Sequence, residues 1–223
     1  MNVLVDGDAR PLPEAAAWLA TVRIAAADDP ARWEAASEVR PPDIHPAEWL
    51  EAELLTDPRR RAQWLAGRRA AKLAVARVLG ARALDPATLA VRSRDRFGRP
   101  ARPALWSRGE RLGLHVSVAH AEHLAAAVAS PTHLVGVDVV ERADVGEPDP
   151  WTWSAREAAY KAELGDEAFV PDDWHVEREP DRVHGTATDR RARGRAVRVR
   201  WLGDVPGAHL VAVGFRAHER SSA

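Results

Sequence analysis

Apolar residues recur along this chain with two different periods, and the switches between them outline its elements. From Arg59 to Leu79 the positions Trp64, Leu65, Ala71, Val75 and Leu79 fall at three- and four-residue steps. That spacing predicts a long helix with one buried face, closed by Gly80. A second helix is expected to open at His45-Pro46-Ala47-Glu48, with proline in its first turn. Short apolar runs read as strands at Leu89–Val91, Leu114–Val118, Leu124–Val128 and Leu134–Val140, with a further candidate at Trp18–Ala27. Asp95 to Pro100 (DRFGRP) is a turn by its glycine and proline.

The second half repeats this plan in shorter form. A helix is expected over Ser154–Leu164, with Ser154 as its cap and Glu157 completing a capping box. Strands follow around Trp174–Glu177, Ala196–Trp201 and His209–Phe215. The halves also echo each other in residues. Arg68-Arg69-Ala70-Ala71-Lys72-Leu73-Ala74 parallels Arg156-Glu157-Ala158-Ala159-Tyr160-Lys161-Ala162, and Glu122 to Val128 parallels Ala208 to Val213. With the matching order of helix then strands, this favours an internal duplication joined near Ser130-Pro131-Thr132. That join divides the chain into residues 1–131 and 132–223.

Composition narrows the function classes. With no cysteine among its 223 residues, the chain has no disulfide, thiolate nucleophile or cysteine zinc site. The formal net charge of −1 removes a global argument for nucleic acid or an acidic membrane as partner. No apolar run approaches the length that spans a bilayer. The opening MNVLVDGDAR carries Asp6 and Asp8 and no apolar core, unlike a signal peptide, so a cytoplasmic location is expected. Only two of the 32 basic residues are lysines, Lys72 and Lys161, and a compact ammonium serves a phosphate differently from a guanidinium fork.

Four groupings carry candidate chemistry. Arg68 and Lys72 stand four apart on one helix face, either an anion site or a solvated basic face. Asp138, in Gly136-Val137-Asp138, lies within a valine-rich run, where a carboxylate is costly unless paired. A hard cation such as magnesium would pair with it, and a strand-end Asp facing water is the plain alternative. Glu157 and Lys161 share a helix face, as a metal ligand and a phosphate contact or as an ordinary ion pair. Ser117-Val118-Ala119-His120 offers a hydroxyl and an imidazole.

Taken in order, these groupings resemble the 4'-phosphopantetheinyl transferase superfamily. Gly136-Val137-Asp138 followed by Trp153-Ser154-Ala155-Arg156-Glu157-Ala158-Ala159-Tyr160-Lys161 is similar to the signatures G-[IV]-D-[IV]-E and W-x-x-K-E-[AS]-x-x-K. Leu65 to Lys72, Gly98-Arg99-Pro100 and Ser117 to His120 look like three further landmarks. The match spans residues 65 to 161, and the chain length suits the larger, two-lobed branch.

The resemblance implies two α+β lobes about a pseudo-twofold axis, with coenzyme A and magnesium in the cleft between them. It implies transfer of phosphopantetheine to a serine of an acyl or peptidyl carrier protein, with release of 3',5'-ADP, by a monomer. Asp138 and Glu157 would hold the metal, with Glu157 or a metal-bound water accepting the serine proton. Lys161 and Arg156 would contact phosphates. Arg68, Lys72 and Arg99 would reach the pyrophosphate or 3'-phosphate, and Ser117 and His120 the 3'-phosphate side.

Three positions depart from the pattern. Val140 stands where the family has a second acid, so either water completes the metal shell or a bulge turns Glu141 inward. Ala119 replaces the serine before His120, and Arg156 replaces a lysine. Two other readings follow from the same residues: a catalytically weakened coenzyme A- and carrier-binding homologue, and an RNA- or nucleotide-binding module using the Arg59–Arg69 and Arg190–Arg195 clusters.

Overall fold

The computed structural model describes residues 4–24, 40–80, 85–94, 100–141, 149–163, 169–191, 195–203, 205 and 209–217. The fold is α+β, with three helices and three antiparallel sheets among these residues. The first sheet has the order β1-β2-β7-β6, from β1 (Leu4–Leu12), β2 (Ala17–Ile24), β6 (His115–His120) and β7 (Leu124–Ser130). The second has the order β8-β12-β11-β10-β9, from β8 (His133–Glu141), β9 (Trp174–Arg178), β10 (His184–Asp189), β11 (Ala196–Leu202) and β12 (His209–Ala217). A small third sheet joins β3 (Leu89–Arg94), β4 (Pro100–Ser107) and β5 (Glu110–Arg111). The helices are α1 (Pro46–Glu53), α2 (Pro58–Val78) and α3 (Pro150–Ala162).

Strand β7 shows how the layers stack. Its sequence LAAAVAS is buried throughout. Ala125, Ala127 and Ala129 pack with the apolar face of α2, including Leu65, Ala66, Ala70 and Val75. Leu124, Ala126 and Val128 pack with Val135, Val137, Val211 and Val213 of the second sheet. Small side chains on both faces let a helix and a sheet approach the same strand closely. On the far side of the second sheet, Ala155, Ala158, Ala159 and Ala162 of α3 pack on Val197, Trp201, Leu210 and Ala212. Ser130 Oγ ties off the passage between the sheets, donating to Ala15 O at 2.9 Å and accepting from His133 N at 3.1 Å.

Gly136 and Gly214 are register partners on β8 and β12, and α3 lies directly over them. A Cβ on Gly136 would stand 2.0 Å from Ala158 O and 2.5 Å from Ala162 N, and one on Gly214 would stand 2.8 Å from Ala158 O. The glycine of the Gly136-Val137-Asp138 motif therefore sets the helix–sheet distance. Gly136→Ala is expected to destabilise the fold by about 1–3 kcal/mol, as overpacking against backbone does; urea unfolding measures it, and an unchanged midpoint would refute this role.

Both long helices were expected, and their ends follow local chemistry. Asp57 caps α2 through Arg59 N at 2.9 Å, and Gly80, at φ +67°, supplies the left-handed residue that closes it. His45 and Glu48 form a reciprocal capping box on α1. Helix α3 begins earlier than Ser154: Asp149 caps it through Trp151 N and Thr152 N, and Pro150 takes the first position. Ser154 is buried in the helix body and donates to Trp151 O at 3.2 Å, so it is not the cap. Strand β2 covers the expected strand from Trp18 to Ile24, and residues 25–27 lie outside the described residues. Strands β1, β4, β5 and β10 have no counterpart in the sequence expectation. Of the expected turn Asp95–Pro100, residues 95–99 lie outside the described residues and Pro100 begins β4.

Candidate functional site

Strand β8 runs in unbroken register against β12 from His133 to Glu141, so its residues alternate strictly between two faces. Val135, Val137 and Val139 face the first sheet, and Gly136, Asp138 and Val140 face α3. Glu157 and Lys161, one turn apart on α3, meet Asp138 there. Lys161 Nζ lies 3.0 Å from Asp138 Oδ1, 2.8 Å from Glu157 Oε1 and 3.1 Å from Val137 O. The three donors of the ammonium are thus engaged with three oxygens.

Two carboxyls on one lysine leave a net negative charge in a nearly dry place. Asp138 is 5% exposed. Burial pushes its carboxyl up to about 7; Lys161 opposes this and the neighbouring Glu157 carboxyl adds to it. Lys161 is held above its ordinary value, because burial is outweighed by the attraction of Asp138 and Glu157. Asp138 Oδ2 is buried and receives no hydrogen bond among the described residues. Such an oxygen is satisfied by a proton shared with Glu157 or by a cation. Two hard carboxylate donors, one with an oxygen to spare, fit magnesium.

A rim of basic side chains adjoins this cluster. His120, at the end of β6, is held below its ordinary value by desolvation and then by Lys161, Arg60 and Arg68, although much of its surface is open. Arg68 is 3% exposed. Its Nη2 donates to Ser93 Oγ at 2.7 Å, and its guanidinium lies 4.0 Å from the Trp64 ring centroid. Burial pushes it down to about 10, partly offset by Glu48 and Glu51, so it remains charged near neutrality. Its Nε is buried with no acceptor among the described residues.

Other expected residues sit elsewhere. Lys72 is buried and spends its ammonium on Glu48 Oε2 at 2.6 Å, Asp43 O at 2.7 Å and Pro86 O at 2.9 Å. Glu48 also accepts from Val91 N and His45 N, both at 2.8 Å. Lys72 thus locks α1 and β3 to α2 and leaves no donor for a phosphate. Glu141 lies on the opposite face of β8 from Asp138, since no bulge interrupts the register, and approaches His209 Nε2 at 3.5 Å. It does not join Asp138 and Glu157, and Val140 packs against the core that includes the alanines of α3. Ser117 Oγ accepts from Val137 N at 3.1 Å, linking β6 to the strand that carries Asp138. Arg156 Nη1 meets Asp172 at 3.5 Å, with its Nε buried and without an acceptor among the described residues. Arg99 lies outside the described residues.

One contact had no signal in the sequence. Arg102 of β4 donates to the carbonyls of Tyr160 and Lys161 at the end of α3, where a cation suits the helix dipole. It fixes the helix end that carries Lys161. Glu48 was legible as a helix-start residue through its capping-box spacing from His45, but not as the partner of Lys72. A cleft of about 480 Å³, bordered by His45, Ala90, Arg92 and Trp106, opens at the base of β3 and β4 and involves none of Asp138, Glu157 and Lys161. No protein-family model matches the chain, and no curated protein does so either.

Proposed function

We propose that the chain is a 4'-phosphopantetheinyl transferase, moving the phosphopantetheine arm of coenzyme A to a serine of an acyl or peptidyl carrier protein. The observation that carries this reading is the convergence of Asp138 and Glu157 on Lys161, beside His120 and the cations Arg68 and Arg60. Acidic donors adjoining cations suit a pyrophosphate held with a divalent cation. Two helix-on-sheet units, α2 with the first sheet and α3 with the second, are in keeping with two lobes about a pseudo-twofold axis. One chain then holds every part of the site, in line with a monomer acting in the cytoplasm.

The roles follow from charge and position. Magnesium, when bound, neutralises pyrophosphate charge and polarises the phosphorus under attack. Asp138 and Glu157 would hold it. Arg68 and Arg60 would orient the phosphates and offset the charge that grows on the leaving 3',5'-ADP, His120 offers a neutral N–H donor, and Lys161 fixes the two carboxylates. The carrier serine oxygen forms its bond to the β-phosphorus as the bond to the bridging oxygen breaks, and Glu157 takes the serine proton.

Mass spectrometry of an apo carrier protein incubated with coenzyme A tests this directly. One phosphopantetheine per carrier is expected with magnesium, little without it, and little with Glu157→Ala. Val140 in place of a second acid supports one other reading, a homologue that binds coenzyme A and carrier without transfer. Coenzyme A binding with no mass increment on any carrier would favour that reading.

A further inference from the structure

We propose that Glu122, His123, Glu141 and His209 form a binding site for a divalent transition metal of the zinc class, clamping the first sheet to the second. Glu122 and His123 occupy the turn between β6 and β7, Glu141 ends β8, and His209 begins β12 as the register partner of Glu141. One ligand atom from each of Glu122, His123 and Glu141 lies within 4.8 Å of the others. His209 Nε2 is 3.5 Å from Glu141 Oε1, and its ring stands edge-on to that of His123, with centroids 6.4 Å apart. Two imidazoles and two carboxylates therefore converge from two sheets.

The chemistry selects the metal. Imidazole nitrogen with carboxylate oxygen suits zinc and its neighbours in the transition series, whereas magnesium prefers oxygen alone. Donors on a tetrahedral zinc stand roughly 3.3 Å apart, so binding would draw these side chains together from the observed spread. The framework is already braced for it. Ala121 N donates to Leu124 O and Ile24 N to His123 O, both at 2.8 Å, and Arg59 pairs with Glu122. Glu141 Oε1 is buried and receives no hydrogen bond within the described residues. A cation there satisfies it and balances the Glu141 carboxylate.

This site is separate from the Asp138 cluster, because Glu141 leaves β8 on the opposite face. The test uses untagged protein stripped with EDTA, titrated with zinc against a chromogenic chelator and followed by thermal unfolding. One zinc per chain is expected at this site, and zinc at 100-fold excess over its Kd raises the midpoint by roughly 5–10 °C. His123→Asn and Glu141→Gln each weaken that binding at least tenfold while leaving the metal-free midpoint near wild type. Asp138→Asn retains it, and millimolar magnesium does not displace it. Equal zinc affinity in wild type and His123→Asn, or loss of the site in Asp138→Asn alone, would overturn the proposal.

Discussion

Asp138→Asn is expected to lower carrier modification by about 10²–10³-fold, the scale of losing one preorganised charge at a reacting centre. The same substitution is expected to leave the metal-free fold at least as stable near pH 8, because it removes a carboxylate that burial disfavours. The pH dependence separates this from simple damage. Folded Asp138 holds its proton up to about 7, against 3.8 as its ordinary value. Folding therefore takes up a proton between those limits, and this group makes stability fall as pH rises through that window. Lys161 is charged in both folded and unfolded states there and adds no slope. Unfolding midpoints in EDTA at several pH values should thus decline more for wild type than for Asp138→Asn. Equal slopes would show that Asp138 is already ionised in the fold, and unimpaired transfer would remove it from the chemistry.

Lys72→Met is expected to cost about 3–5 kcal/mol of stability, since it strands the Glu48 carboxylate in the core. Glu48 is 1% exposed, so water does not readily replace the lost ammonium. Pairing the change with Glu48→Gln should recover part of the loss, because the neutral amide removes the buried charge and still accepts from Val91 N. Chemical denaturation of the two variants measures both effects. A phosphate-binding Lys72 would behave differently, with little change in stability and a raised KM for coenzyme A. The geometry favours the first outcome, since its three donors already have oxygen partners.

Most of the candidate site was legible before any coordinates. Asp138, Glu157 and Lys161 stood out because a carboxylate among valines and a four-residue helical spacing are local signals. The structure joins those three around one ammonium and places Arg68 and His120 beside them. Lys72 was misplaced because its spacing from Arg68 fits a phosphate site and a buried ion pair equally well. Its partner Glu48 lies 24 residues away, in another helix, where periodicity carries no information. Glu141 turned on whether β8 bulges, and that is decided by pairing with β12.

The sequence by itself determined the two long helices, the Gly80 that closes the first, most of the strands, and the members of the acidic cluster, because periodicity and glycine's left-handed backbone act within a few residues. The edge strand β1 was hidden by Gly7 and Pro11, and becomes a strand only through its register with β2. Strand β10 (HGTATD) lacks large apolar side chains and is held by neighbours on both sides. Tertiary structure alone decided which face of β8 each residue takes, which lysine faces the carboxylates, and how closely α3 settles on Gly136 and Gly214. Those outcomes depend on contacts between distant segments, and their energies arise only once the sheets and helices have packed.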